Sequence, residues 1–174
     1  DVHGSRGLGD VYKRQRLWRI RAKHVILETG AIERPLVFAG NDIPGVMLCS
    51  AALEFYKLYG VSPGDRVVVL TNNDSAYSSV IELFNAGISV PLVIDVREKS
   101  DGNLPLKAKK LGIRVEFSKA ISKVIGKKKV KAVELCSVVG EGAVLETIIC
   151  DSVLMSGGWT STLNLWSHCG GTVS

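Results

Sequence analysis

The sequence predicts an α/β fold in which a parallel sheet with helices is extended by a three-stranded β-meander. Three observations favour it. An apolar run at 67–70 leads into a segment with helical periodicity and then into a second apolar run at 90–94. A basic helical segment and a third apolar stretch at 113–117 follow. Three β-prone segments separated by glycine-containing turns, near 120–125, 130–135 and 144–149, come next and predict the meander.

The composition is that of an ordinary globular protein, since 46% of the 174 residues are hydrophobic and 22% are charged. The apolar runs are far shorter than the roughly 20 residues that cross a bilayer, and no signal-peptide pattern is visible. We therefore expect a cytoplasmic protein without a membrane segment. The net charge of +5 comes partly from two basic patches that lack the interleaved aromatics of a stacking platform, so no nucleic-acid partner is expected.

Cysteine spacing argues against a metal site and against a redox dithiol. No CxxC pair occurs, and no histidine stands at a spacing suited to metal binding. All four cysteines are expected to be free thiols in a reducing compartment. They are Cys49, Cys136, Cys150 and Cys169.

Residues 1–30 consist of two segments with different sequence patterns. Residues 1–15 have no helical or strand periodicity and are interpreted as a processing, cloning or assembly scar, with a native loop as the alternative. From Arg16 the alternation of polar and apolar residues predicts a half-buried hairpin that continues as an apolar strand at 25–27. That strand ends in Thr29-Gly30, which resembles the strand that approaches the cofactor a second time in flavoproteins with two dinucleotide-binding domains.

The rest of the chain follows the order of an inserted domain. Residues 16–40 are predicted to belong to a first FAD/NAD-binding domain, and residues 41–65 to a crossover with a helix at 50–59 capped by Ser50. A Rossmann-like nucleotide-binding domain is predicted at 66–156. Residues 157–174 are predicted to return to the first domain, which stays incomplete.

The predicted βαβ unit keeps the spacing of a dinucleotide-binding motif but lacks its first two glycines. Thr71, Asn73 and Ala76 occupy the three glycine positions, and Asp95 ends the second strand, where a carboxylate can accept hydrogen bonds from a ribose. Alanine suits the third position, whereas a Cβ at the first two restricts the turn and fills the space of the pyrophosphate. Helix capping by the Asn-Asn-Asp turn is the alternative to nucleotide binding.

Three sequence blocks resemble the α subunits of heterotetrameric sarcosine oxidase and the related amine and opine oxidases. They are LETGAIERPLVFAGNDIPGVML at 27–48, YGVSPGDRVVVLTNNDSAY at 59–77 and LMSGGWTSTLNLWSHCGG at 154–171. The TNNDSAY block is the most specific of them. Two positions depart from the family: Glu28 replaces a usual alanine, and Ser161 replaces a turn former.

The resemblance implies a flavoprotein oxidoreductase that demethylates sarcosine oxidatively, with the amine substrate and its flavin on a partner subunit. It implies an NAD in the first domain, a further FAD or FMN at a subunit interface, and no catalytic residue on this chain. The glycine-rich loop expected upstream of Arg16 and the folate domain are missing, which indicates a fragment. The nucleotide contacts expected on this basis are Thr29, Gly30, Ala31, Gly157, Gly158 and Trp159, and the degenerate turn would then be a structural remnant. Thr71, Asn73 and Asp95 stay candidates from the spacing of the βαβ unit alone.

Two other functions remain open from the sequence. The lost glycines favour a non-enzymatic scaffold that binds partner subunits through a nucleotide-domain fold. An NAD(P)H-dependent flavin reductase is the third possibility, and it requires an intact upstream loop. Glu33 and Arg34 are interpreted as a surface or interdomain pair.

Overall fold

The computed structural model describes residues 17–172, which divide into two compact units. Residues 30–163 form one unit, and the other contains residues 17–29 together with 164–172. A short helix, Asn164–His168, lies in the second unit. Residues 1–15, predicted to be a scar, lie outside the described part of the chain.

A five-stranded parallel sheet is the centre of the larger unit. Its strand order is β2-β9-β3-β4-β5. The strands are β2 (Val46–Leu48), β3 (Arg66–Thr71), β4 (Ser89–Asp95), β5 (Val115–Phe117) and β9 (Ser152–Ser156). Helices α1 (Cys49–Tyr59), α2 (Ser75–Asn85) and α3 (Asn103–Lys110) connect them.

Two antiparallel sheets complete this unit. Strands β6 (Lys119–Gly126), β7 (Val130–Ser137) and β8 (Val144–Ile149) form the meander. Strands β1 (Ala31–Glu33) and β10 (Trp159–Ser161) pair into a two-stranded ribbon, which we call the ribbon. The α/β fold with a parallel sheet and a three-stranded meander, predicted from the order of apolar runs, is confirmed.

Burial explains why the central strand reads as an unbroken apolar run. Val67 and Val69 belong to the core on the helical face of the sheet, where they join Tyr77 and Leu83 of α2. Val68 and Leu70 belong to the core that includes the meander. A strand covered on both faces needs apolar side chains at every position, as parallel sheets generally do.

The predicted hairpin and apolar strand before Thr29 are wrong in the described part of the chain. No strand occurs within residues 17–30, and Val25 and Ile26 are 71% and 83% exposed. An apolar run becomes a strand only when another strand pairs with it. None of the described strands pairs with this segment.

The predicted crossover contains a strand that the sequence analysis did not anticipate. β2 lies at one edge of the parallel sheet and pairs with β9. It is only three residues long, too short for a period-2 or apolar-run signal to identify it. The domain boundaries proposed at residues 40, 65 and 156 stay predictions.

Helix α1 is not capped by Ser50, as the sequence suggested. Leu48 occupies the N-cap position and makes no side-chain cap hydrogen bond, while Ser50 is the second helical residue. The backbone N–H and the hydroxyl of Ser50 donate instead to Oε2 of Glu33, at 2.9 and 2.6 Å. The interpretation of Glu33 as a surface partner of Arg34 is therefore also wrong, because its carboxylate is buried against this helix.

Candidate functional site

The ribbon brings together most of the residues that the sequence singled out around its two glycine-containing segments. Ala31 lies opposite Ser161, and Glu33 lies opposite Trp159. The N–H of Thr162 donates to the carbonyl of Gly30 at 3.0 Å. Thr29 lies in the smaller unit, so the structure does not add it to this group.

Gly30 and Gly158 share a backbone conformation that favours glycine. Their φ angles are +70° and +84°. A Cβ on Gly30 would meet no atom within 4 Å, and one on Gly158 would only approach Oδ1 of Asn72 at 3.9 Å. Open space beside both residues leaves their backbone accessible to a ligand.

Gly157 is required for a different reason. A Cβ there would lie 2.9 Å from the carbonyl oxygen of Arg34 and 3.0 Å from that of Pro35. The N–H of Gly157 donates to the Arg34 carbonyl at 2.7 Å, and the N–H of Arg34 donates to the Gly158 carbonyl at 2.8 Å. The small residue predicted at 157 thus permits contact between two segments of this chain.

The turn after β3 is closed by its own polar groups. Thr71 is fully buried, and its hydroxyl donates to the carbonyl of Asn73 while accepting from the N–H of Asn73. These bonds of 3.0 and 3.1 Å form a side-chain turn of the kind that serine and threonine support. Threonine therefore stabilises the turn without the φ freedom of glycine.

Asn73 connects this turn to two other elements. Its Nδ2 donates to the carbonyl and hydroxyl oxygens of Ser156, at the end of β9. Its Oδ1 accepts from the backbone N–H and the hydroxyl of Ser75, in the first turn of α2. The indole Nε1 of Trp159 then donates to the Ser75 hydroxyl at 2.8 Å. Asp74 occupies the N-cap position and makes no side-chain cap hydrogen bond, but Asn73 satisfies the first N–H of α2, so the capping alternative is observed in this form.

Asp95 is fully buried and accepts four hydrogen bonds. Its Oδ2 accepts from the hydroxyl of Tyr77 at 2.8 Å and from Nη2 of Arg97 at 2.7 Å. Its Oδ1 accepts from the backbone N–H and from Nε of Arg97. Nη2 of Arg97 also bonds to Asp74 in the turn after β3. A ribose would have to displace these donors to reach the carboxylate.

The surroundings of Asp95 also change the acidity of its neighbours. Burial, followed by the hydrogen bond to Asp95, raises the pKa of Tyr77 well above its ordinary value. The hydrogen bond to Asp95 is the main cause that raises the pKa of Arg97. Both groups keep their protons, so this cluster is an internal ion pair with a neutral phenol. It is not a proton-transfer site at ordinary pH.

A second buried carboxylate lies beneath the ribbon. Glu33 is 5% exposed, and it bonds to the N-terminus of α1 through Ser50. Burial, followed by the charge of Glu33, raises the pKa of Cys49 well above its ordinary value. Cys49 therefore stays a neutral thiol despite its position in the first turn of a helix, where thiols are otherwise acidified.

Sequence reasoning missed several residues that complete these clusters. No local sequence pattern indicates these contacts, because the partners are distant in the chain. Ser156 is 83 residues from Asn73, and Glu33 is 17 residues from Ser50. Only the parallel register, which sets Thr71 beside both Asp95 and Ser156, brings the strand ends together. The residues missed altogether are Ser75 and Ser156, while Glu33 and Asp74 were named without the partners they have here.

Other kinds of site are not found among residues 17–172. The four cysteines are free, as predicted, and three of them are buried. No cluster of three or more histidine, cysteine, aspartate or glutamate side chains suited to a metal ion occurs there. None of the described helices combines the length and the hydrophobicity needed to cross a membrane.

Comparison with known proteins identifies relatives along most of the chain. The sarcosine oxidase subunit alpha of Rhizobium meliloti (strain 1021) is 38% identical over 157 residues, which are 90% of this chain and 15% of the relative. The same subunit of Corynebacterium sp. (strain P-1) is 48% identical over 96 residues, which are 55% of this chain and 10% of the relative. The chain is homologous to the sarcosine oxidase alpha subunit. It spans about 15% of the length of the first of these relatives.

Solved structures show the same fold at low sequence identity. The T. acidophilum thioredoxin reductase has a TM-score of 0.65 and 20% identity over 83% of this chain and 47% of its own. An FAD-dependent pyridine nucleotide-disulphide oxidoreductase from Desulfovibrio vulgaris has a TM-score of 0.62 and 16% identity, covering 84% of this chain and 38% of its own. No protein-family model matches the sequence. The resemblance inferred from the three sequence blocks is confirmed.

Proposed function

We propose that this chain is a segment of an FAD/NAD-dependent oxidoreductase subunit of the sarcosine oxidase alpha class, and that its ribbon forms one wall of a dinucleotide site. The observation that carries the proposal is the pair Gly30 and Gly158. Both hold the left-handed backbone conformation beside open space. Glycine at such positions lets a ligand approach the main chain closely. Ala31 and Trp159 of the ribbon, together with Gly157 and Thr29, are the further contacts we propose.

The cofactor proposed at the ribbon is NAD, and an FAD or FMN is proposed at an interface with a partner subunit. The homologues are named for sarcosine oxidase, so the proposed reaction of the assembled enzyme is the oxidative demethylation of sarcosine to glycine, with hydrogen peroxide and a one-carbon unit as further products. The described residues provide binding and orientation, while cofactors supply the redox chemistry. We place the amine substrate on a partner subunit of a cytoplasmic hetero-oligomer.

The closed turn after β3 supports a structural role for the Rossmann-like domain predicted at 66–156. At the position where a nucleotide-binding turn exposes N–H groups, Thr71 and Asn73 satisfy each other and the start of α2. Asp95 has no oxygen left unbonded. These contacts favour the second candidate, a scaffold for partner subunits, within this part of the chain. Thr71, Asn73 and Asp95 are accordingly the weaker half of the proposed nucleotide contacts.

The test is calorimetric titration of NAD⁺ into the chain extended upstream by the residues that precede the matched region in the Rhizobium meliloti relative. We expect Gly30→Val to abolish binding and Asn73→Gly to leave it unchanged. Gly60→Val is the matched control, because Gly60 has a φ of +64° and equally open space, and it ends α1 away from the ribbon. The control therefore reproduces the backbone strain without touching the proposed site.

Two results would count against the proposal. Equal loss of binding in the Gly30 and Gly60 variants would show that strain, and not a blocked site, causes the effect. No NAD⁺ binding in any version, in a protein that folds as judged by circular dichroism, would overturn the nucleotide site and leave the scaffold.

A further inference from the structure

An open cleft of about 580 Å³ lies beside the ribbon, within the larger unit. Strand β1, helix α1 and one residue each from β2, α2 and β10 supply its walls. Its apolar lining includes Ile32, Leu48, Leu53 and the indole of Trp159. Glu33 lies in the same lining, although its side chain is 95% shielded from solvent, as its exposed fraction of 5% shows.

Only one oxygen of the Glu33 carboxylate accepts hydrogen bonds from the described residues. Oε2 accepts both hydrogen bonds from Ser50. Oε1 accepts no hydrogen bond and no ion pair from the described residues, and Glu33 is not among the residues with further contacts. Every fully shielded side-chain nitrogen or oxygen in residues 17–172 has a partner. Oε1 is therefore not fully shielded, and it belongs to a residue that lines the open cleft.

The charges around the cleft do not neutralise this carboxylate. Glu54 adds a second acidic group to the lining. Lys57 also lies there, but its ammonium group pairs with Glu82 of α2. The N-terminus of α1 offsets part of the Glu33 charge through the Ser50 N–H. A largely shielded carboxylate that has one oxygen without a hydrogen bond and no ion pair from the described residues favours a ligand that carries positive charge.

We propose that this cleft binds a small organic cation, whose charge meets Oε1 of Glu33 and whose apolar body lies against Trp159. A carboxylate next to an aromatic wall is the chemistry that recognises alkylammonium and similar cations. Two carboxylates oppose the binding of a phosphate. A metal ion would need several oxygen, nitrogen or sulfur ligands, and no such cluster occurs among the described residues.

Two sources can supply this cation: an aliphatic amine, or the oxidised nicotinamide ring. The second rests on the proposed function, since it makes the cleft an extension of the dinucleotide site. The test is an NMR titration of the ¹⁵N-labelled 174-residue chain. The probes are dimethylammonium chloride and 1-methylnicotinamide chloride, with uncharged nicotinamide as the control for ring stacking alone. The signals followed are the indole N–H of Trp159 and the backbone amides of Glu33 and Leu53.

We expect one or both charged probes to shift these signals in a saturable manner, with nicotinamide at least about tenfold weaker. Glu33→Gln should weaken the charged probe by a similar factor. Its amide oxygen can still accept from Ser50, so α1 keeps its cap. Glu141→Gln, an exposed change in the turn between β7 and β8, is the matched control and should leave affinity unchanged.

The pattern of probes identifies the source. Saturation by dimethylammonium indicates an amine site, and saturation by 1-methylnicotinamide alone indicates the nicotinamide end of the dinucleotide. The proposal is overturned if neither charged probe shifts the cleft signals, or if Glu33→Gln binds the probe as well as the unchanged chain. Failure here is separable from failure of the NAD⁺ site, because that site is tested through Gly30.

Discussion

Two regions of the larger unit each contain a buried carboxylate at the end of a strand, but the protein satisfies both oxygens of only one of them. In the turn after β3, Asp95 ends a strand next to the first turn of α2; at the ribbon, Glu33 ends a strand and caps α1. All four hydrogen bonds to Asp95 come from this chain. Glu33, which lines a cleft, accepts hydrogen bonds from the described residues at only one of its two oxygens. A buried carboxylate indicates a ligand only when its own protein leaves it incomplete.

The difference has a local cause. Arg97 lies two residues after Asp95, and its guanidinium bonds to both Asp95 and Asp74, so a cation is built into the turn. Arg34 directly follows Glu33 but makes no ion pair with it. Its carbonyl and N–H instead hold Gly157 and Gly158. Four experiments test how far this contrast holds.

The largest expected effect comes from breaking the closed turn at its buried charge. Asp95→Ala should lower the free energy of unfolding by about 3 kcal/mol, because it leaves the Tyr77 hydroxyl without its acceptor and Arg97 with Asp74 alone. Urea denaturation measures it. Asp101→Ala, in an exposed pair with Lys99, is the control and should stay within about 0.5 kcal/mol. A loss at Asp95 no greater than at Asp101 would mean that the turn does not depend on this cluster.

The contact between the residues that follow β1 and those that precede β10 is tested by two adjacent glycines. Gly157→Ala should cost about 2 kcal/mol, since its Cβ would press on the carbonyls of Arg34 and Pro35. Gly158→Ala meets no close atom, so only its φ of +84° opposes the change, at about 1 kcal/mol. Thermal denaturation of both variants compares them. The reverse order would contradict the assignment of close packing to 157 and conformational freedom to 158.

The link between the two regions is the hydrogen bond from Trp159 to Ser75. Trp159→Phe keeps an aromatic ring and removes this bond, so it should destabilise the chain by about 1 kcal/mol. Ser75→Ala removes the same bond from the other side, together with the bond to Asn73. A double-mutant cycle in urea should show coupling between the two positions. Strictly additive losses would mean that the bond contributes nothing.

Alkaline pH separates the two regions through Cys49 and Tyr77. Each has a pKa raised in the folded chain, from ordinary values of 9.0 and 10.0. The unfolded chain therefore loses these protons first, and the stability they contribute is complete at lower pH and is lost as pH rises. We expect the free energy of unfolding to fall from about pH 9 onward.

Variants assign the two parts of this decline. Cys49→Ala should flatten the slope from about pH 9 upward, and Tyr77→Phe should flatten it only from about pH 10 upward. Urea midpoints measured at intervals of pH give both slopes. If neither variant changes them, other ionising groups cause the decline.

Much of the fold could be predicted from the sequence because its signals are local. The apolar runs of β3 and β4, the helical periodicity between them and the motif spacing from Thr71 to Asp95 identified the βαβ unit. The glycine-containing turns identified the meander. The three-residue strands β1, β2 and β10 escaped notice because such short pieces carry no periodicity. The apolar segment at 25–27 gave a strand signal without the strand that would have to pair with it.

The candidate site divides in the same way. The sequence analysis identified the glycines that flank the ribbon and the turn that has lost its glycines, because residue type alone is enough to recognise both. It misjudged Glu33 and Ser50, because a carboxylate that caps a helix from another strand leaves no local pattern.

By itself, the sequence determined the α/β class, the loss of the turn glycines and the kinship with the sarcosine oxidase alpha subunit. These three conclusions depend only on residue types and on short spacings along the chain. Local conformational preferences follow from residue type, and homologous proteins share both. Only the tertiary structure decided which buried carboxylate is satisfied. The parallel register places Asp95 and Thr71 side by side, and the pairing of β1 with β10 carries Glu33 to α1. Hydrogen bonding depends on ångström distances between residues far apart in the chain, and folding alone sets those distances.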